Sequence, residues 1–218
     1  PSLFFAGVIY YEELFLRLFC FHAVTPVGAL FTLLFTLPIA ILLGLLCGGV
    51  APRKGRVLLL AMTLLLSVWM GAQSIYYHLF KTFLTAFSLT KMGMVAGAFG
   101  DMAVGEILLN WFPIAMMAVP FGLAVVLRRR LIPEEGPMSR RMGARWALLA
   151  AVVQLAAMGI VMCCGGGSMS LRFIYLQAAV PELEVQNFGM LTQNQLELRR
   201  VLFGITPEDQ SLRKGQAL

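Results

Sequence analysis

Two groups of residues in this chain have the types and spacing that chemistry at a membrane surface requires. The first lies between Gln73 and Met92. Wound at 100° per residue, Tyr76, Phe80, Phe83 and Phe87 fall within about 60° of one another, with Tyr77 beside Tyr76 and with Ser74, His78, Lys81, Thr82, Thr85 and Ser88 opposite. Aromatic rings favour the interface, and a lysine there meets a phosphate as a point charge. No proline interrupts the chain between Arg53 and Phe112. The spacing therefore predicts a helix over about 74–92 that leaves the bilayer and lies along its surface. Tyr76, Tyr77, Phe80, Lys81, Phe83 and Phe87 are the lipid or interface candidates, and packing of the stripe against neighbouring spans is the competing reading. The second group is Glu12, Glu13 and Arg17, set in an otherwise apolar run from Pro1 to Phe21. Glu13 and Arg17, spaced i and i+4, are expected to form a structural ion pair in the headgroup zone.

Neither group is a catalytic constellation. Cys20, Cys47, Cys163 and Cys164 form no CxxC and have no histidine at ligand spacing. His78 and the acidic residues show no metal-ligand spacing, and the threonines of 82–90 have no adjacent base. No catalytic, cofactor or metal site is expected within the chain.

The elements that must hold these residues follow from composition. The 218 residues are 59% hydrophobic and 13% charged, with a mean hydropathy of +0.82. Soluble domains carry about 25% charged residues, so this is an integral membrane protein. The net charge of +6 sits beside the apolar runs, which points to membrane topology and away from nucleic acid. Runs at Val27–Val50, Val57–Tyr76, Ile107–Leu127 and Trp146–Cys164 are each long enough to cross a bilayer. Only eleven residues precede Glu12, so the first run reads as the outer end of a truncated span. The expected fold is all-α: a five-helix transmembrane bundle over 1–167 with an external interfacial helix. External connector helices over 168–218 would then follow. Within the connector, Thr192-Gln-Asn-Gln195 has the form of a capping box.

Arg53, Lys54 and Arg56 in one loop, with Arg128, Arg129, Arg130, Arg140, Arg141 and Arg145 in another, make nine basic residues; the long loop between spans three and four holds Lys81 and Lys91. Nine against two places the basic loops in the cytoplasm and the carboxyl terminus outside.

With these features in place, Tyr76-Tyr-His-Leu-Phe-Lys-Thr-Phe-Leu-Thr-Ala-Phe-Ser-Leu89 and Val185-Gln-Asn-Phe-Gly-Met-Leu-Thr-Gln-Asn-Gln-Leu-Glu-Leu-Arg-Arg-Val-Leu-Phe-Gly204 resemble the membrane domain of the lipoteichoic acid synthase family. The resemblance implies a Gram-positive plasma-membrane enzyme of cell-wall biogenesis. Its partners would be phosphatidylglycerol, a glycolipid anchor and its own extracellular catalytic domain, with no nucleic acid. That domain, of the sulfatase or alkaline-phosphatase type, would use a threonine nucleophile and a manganese-type ion to transfer glycerol phosphate. A phosphoethanolamine transferase-type membrane domain is the close variant. A transporter or channel subunit is the alternative from another class, disfavoured by the lack of internal repeats and of mid-span charges in spans two to five.

Overall fold

The computed structural model describes residues 1–85, 102, 104–132, 134, 136, 138–165, 170–176 and 180–203. Among them there is no strand. Eight named helices follow in order: α1 (Ser2–Phe21), α2 (Pro26–Gly48), α3 (Pro52–Phe80), α4 (Trp111–Leu131), α5 (Arg140–Cys163), α6 (Leu171–Leu176), α7 (Pro181–Phe188) and α8 (Met190–Leu202). Residues 104–109 are also helical.

Punctuation in the sequence sets the helix starts. Prolines occupy the first positions of α2 and α3, where a missing N–H costs nothing. Thr25 accepts from Gly28 N at 3.2 Å and Ser139 from Met142 N at 3.3 Å, capping α2 and α5. Helices α2, α3, α4 and α5 are each long and apolar enough to cross a membrane. Helix α1 matches them in length, 20 residues or about 30 Å, but carries Glu12, Glu13 and Arg17, all buried against neighbouring elements.

The helices alternate in direction. Met138 N donates to Gly48 O at 2.9 Å, and Arg56 Nε to Ile132 O at 3.1 Å. Both basic loops therefore meet at one end of the bundle, the basic end. Phe21 packs on Tyr77 at the far end, with ring centroids 5.3 Å apart. Helix α1 lies between α2 and α3; α4 packs on α3 and α1, and α5 on α2. Most of α4 and α5 is exposed apolar surface, as lipid-facing helices require.

Two prolines interrupt spans. Pro120 in α4 cannot donate to Met116 O, the carbonyl one turn back. Tyr11 Oη of α1 donates to that carbonyl at 3.1 Å. The defect in one helix thus becomes a bond between two.

The surface helix expected over 74–92 does not form as one element. Helix α3 runs through Tyr76 and ends at Phe80, where Lys81 adopts φ 57 and donates its N–H to Tyr77 O at 2.8 Å. Gln73 then takes both backbone groups of Leu84: Leu84 N donates to Oε1 at 2.8 Å, and Nε2 donates to Leu84 O at 3.1 Å. This clamp folds the chain back along α3 and buries Phe83, which a continued helix would have left on the lipid-facing stripe. Phe87 and the rest of the predicted stretch lie outside the described residues.

The carboxyl-terminal helices pack into the far half of the bundle. Phe188 of α7 packs edge-on against Phe31 and Phe35 of α2, at 5.8 and 5.9 Å, and against Tyr175 of α6 at 5.4 Å. Phe35 lies nine residues into α2, about 14 Å from its start.

Candidate functional site

The charged residues of α1 are the buried polar centre of the far-end half. Their positions over about one and a half turns of helix aim them at three different elements. Glu12 faces α3, where Ser67 Oγ donates to its Oε1 at 2.6 Å. Arg17 faces α2; its Nη2 donates to Thr32 Oγ1, which in turn donates to Gly28 O at 2.7 Å. Glu13 faces α8. Its two carboxylate oxygens accept the backbone N–H groups of Met190 at 2.7 Å and Leu191 at 2.8 Å.

Glu13 therefore does for α8 what an N-cap side chain does within one helix, from 177 residues away. The first N–H groups of a helix have no internal partner, and its N-terminus carries a partial positive charge, so a carboxylate there is stabilising. The predicted capping box does not operate. Helix α8 starts at Met190, before Thr192, and has no side-chain cap of its own. Gly189 in the capping position explains the geometry. Its φ of +96° excludes most side chains, and a Cβ there would lie 2.8 Å from Glu13 Oε2. Gly28 serves the same interface on the α2 side, because a Cβ there would collide with Gln186 O of α7.

The expected direct ion pair between Glu13 and Arg17 is absent. Among the described residues the ion pairs are Arg56–Glu134 and Arg200–Glu184. The carboxylate of Glu13 is taken by two amides and the guanidinium by α2, so the two charges compensate each other along the helix without touching. Glu13 lies eight residues before Phe21 along α1, about 12 Å, and the Glu13 and Arg17 side chains are both at most 1% exposed.

A second lock holds α7 to α8, where buried Glu184 pairs with Arg200. Burial pushes the Glu184 carboxyl up to about 7, against the opposing pull of Arg200.

The interface candidates separate into two groups. Tyr76 and Phe80 are half-buried with ring centroids 4.6 Å apart. Tyr77 stacks on the buried Phe83 at 4.9 Å, and Phe21 closes on Phe83 at 5.9 Å. Lys81 is exposed, its Nζ 5.9 Å from the Tyr77 ring centre. The structure thus keeps a lysine beside aromatic rings at the far end but assigns Tyr77 and Phe83 to packing. Sequence reasoning singled out Glu12 with Glu13 and Arg17 but gave it no partner, and Ser67, Thr32 and Gly189 carried no signal of their roles. Among the described residues no three His, Cys, Asp or Glu side chains are placed to hold a metal ion.

No curated protein and no solved structure matches the chain. The sequence profile described as the lipoteichoic acid synthase N-terminal domain matches residues 3–168, a span that runs from the start of α1 past the end of α5. It includes Glu12, Glu13 and Arg17, and it stops short of the helices that Glu13 holds. On that match, this all-helical membrane chain belongs to the lipoteichoic acid synthase N-terminal domain family.

Proposed function

We propose that the chain is the membrane-anchoring domain of a phosphoglycerol transferase of the lipoteichoic acid synthase type. The family profile over residues 3–168 carries this reading. In it, α1 is the fifth span, the basic end faces the cytoplasm and α6–α8 lie at the outer leaflet. The docking of α8 onto Glu13 supports a positioning role, because it fixes α8 to the bundle. A domain that follows would be held over the outer leaflet, where phosphatidylglycerol and a glycolipid acceptor present their head groups. Lys81 and the half-buried Tyr76–Phe80 pair at the same end would contact those head groups. The threonine nucleophile and manganese-type ion implied by the resemblance would belong to that following domain, and no chemical step is assigned to the residues described here.

Two measurements test the reading. In a background without the four native cysteines, Leu198→Cys should react with an impermeant thiol reagent on intact cells, and Arg141→Cys should not. The reverse pattern overturns the orientation. Full-length protein in vesicles should transfer labelled glycerol phosphate from phosphatidylglycerol. Transfer of phosphoethanolamine from phosphatidylethanolamine instead would reassign the family member to the variant chemistry.

A further inference from the structure

A groove of about 320 Å³ runs between α1 and α4 in the half of the bundle nearest the basic end. Leu3, Gly7 and Tyr11 of α1 and Val119, Pro120 and Leu127 of α4 are among the residues that line it, and all the lining side chains apart from the Tyr11 hydroxyl are apolar. Two sequence features create the hollow. A Cβ built at Gly7 meets nothing within 4 Å, so the glycine leaves open space where any other residue would project. Pro120 removes a backbone donor, and Tyr11, bonded to the freed Met116 carbonyl, closes the far-end limit of the groove. The volume lies within the range of about 300–1,000 Å³ typical of ligand pockets.

Length and charge identify the occupant. From Leu3 to Tyr11 is eight residues, about 12 Å, close to half of the roughly 30 Å hydrocarbon core. The groove is therefore as deep as one leaflet. Its open end meets the last turn of α4, which carries Arg128, Arg129 and Arg130. Arg130 stands three residues beyond Leu127, on the stripe that lines the groove. It is exposed and has no ion-pair partner among the described residues. We propose that this groove seats one acyl chain of an anionic glycerophospholipid from the leaflet at the basic end, with the lipid phosphate on Arg130. The site is separated from the far end, where the proposed head-group transfer would occur, so its lipid is a bound structural ligand.

The test is to strip the purified chain of lipid in detergent, add back phosphatidylglycerol or phosphatidylcholine, and count retained lipid by native mass spectrometry. Wild type should retain one phosphatidylglycerol. Gly7→Leu should fill the hollow and lower retention at least tenfold, with an unchanged melting temperature. If Gly7→Leu fails to fold, Val119→Trp fills the opposite wall and should do the same. Arg130→Gln should reduce the preference for phosphatidylglycerol over phosphatidylcholine about fivefold, the size expected from removing one cation near an anionic lipid. Wild-type retention in a folded groove-filling variant, or an unaltered lipid preference in Arg130→Gln, overturns the assignment.

Discussion

At the residue scale the structure turns on Glu13. A carboxylate this deep would be costly alone, and it is tolerated because two amides and the charge of Arg17 meet it. Glu13→Ala should strand both N–H groups of α8 and leave Arg17 without a counter-charge. A loss of about 3–5 kcal/mol is expected, as for breaking a buried charge pair. Glu13→Gln keeps an acceptor oxygen and should lose less. Thermal unfolding in detergent checks the order; equal losses for the two variants would remove the charge from the account. Glu184 adds a pH dependence of known sign. Its acid sits at about 7 in the folded protein against an ordinary value of 4.5, so the docked α7–α8 pair binds the proton more tightly than the released pair. That stabilisation is full below about 4.5 and is lost as pH rises through about 7. Amide exchange in α7 and α8 should therefore quicken between pH 5 and 8 beyond its intrinsic rise, and Glu184→Gln should abolish the excess.

At the element scale, helices α2 to α5 were legible because apolar run length is a local property. Their ends shifted by a few residues, since prolines and caps outweigh hydropathy at boundaries. What was not legible was the fate of the aromatic stripe. Helical periodicity placed Phe83 with Tyr76 and Phe80, but Lys81 at φ 57 ends the helix and the two-bond clamp from Gln73 to Leu84 turns Phe83 into the core. The α1–α4 contact was likewise invisible, because Pro120 announces a freed carbonyl but not its donor. A double-mutant cycle tests that bond. Tyr11→Phe should cost about 1 kcal/mol. In a Pro120→Ala background, where position 120 regains its N–H, the same change should cost close to nothing. Additive effects would mean that Tyr11 does not serve the proline defect.

At the scale of the molecule, charge asymmetry grouped the two basic loops correctly, since Arg56 and Gly48 reach across to the α4–α5 loop. The described helices after residue 168 pack into the bundle. Phe188, Met190 and Tyr175 belong to the same buried clusters as Phe31, Phe35, Leu16 and Met70. Sequence reasoning pairs Glu13 with its neighbour at i+4 because proximity along the chain is all it has; the true partner lies 177 residues away. A chain ended at residue 168 should expose Phe31 and Phe35 and leave Glu13 uncovered. It should show lower yield and a lower melting temperature than the chain through residue 203. Equal stability would make the carboxyl-terminal helices an appendage.

The bond between α1 and α8 also orders events during synthesis. A segment bearing three charges enters a membrane poorly, since each charged residue at mid-helix costs about 2.5–3.5 kcal/mol to insert. The groups that offset one of those costs, the amides of Met190 and Leu191, are made 177 or more residues later. Until they emerge, α1 is a helix awaiting its counterpart, and a nascent chain halted before Met190 carries it incompletely secured. In nested truncations translated into membranes, the fraction of chains with α1 protected from alkaline extraction should step up once the length passes about 200 residues. Helix α1 would then settle only after α8 has been made.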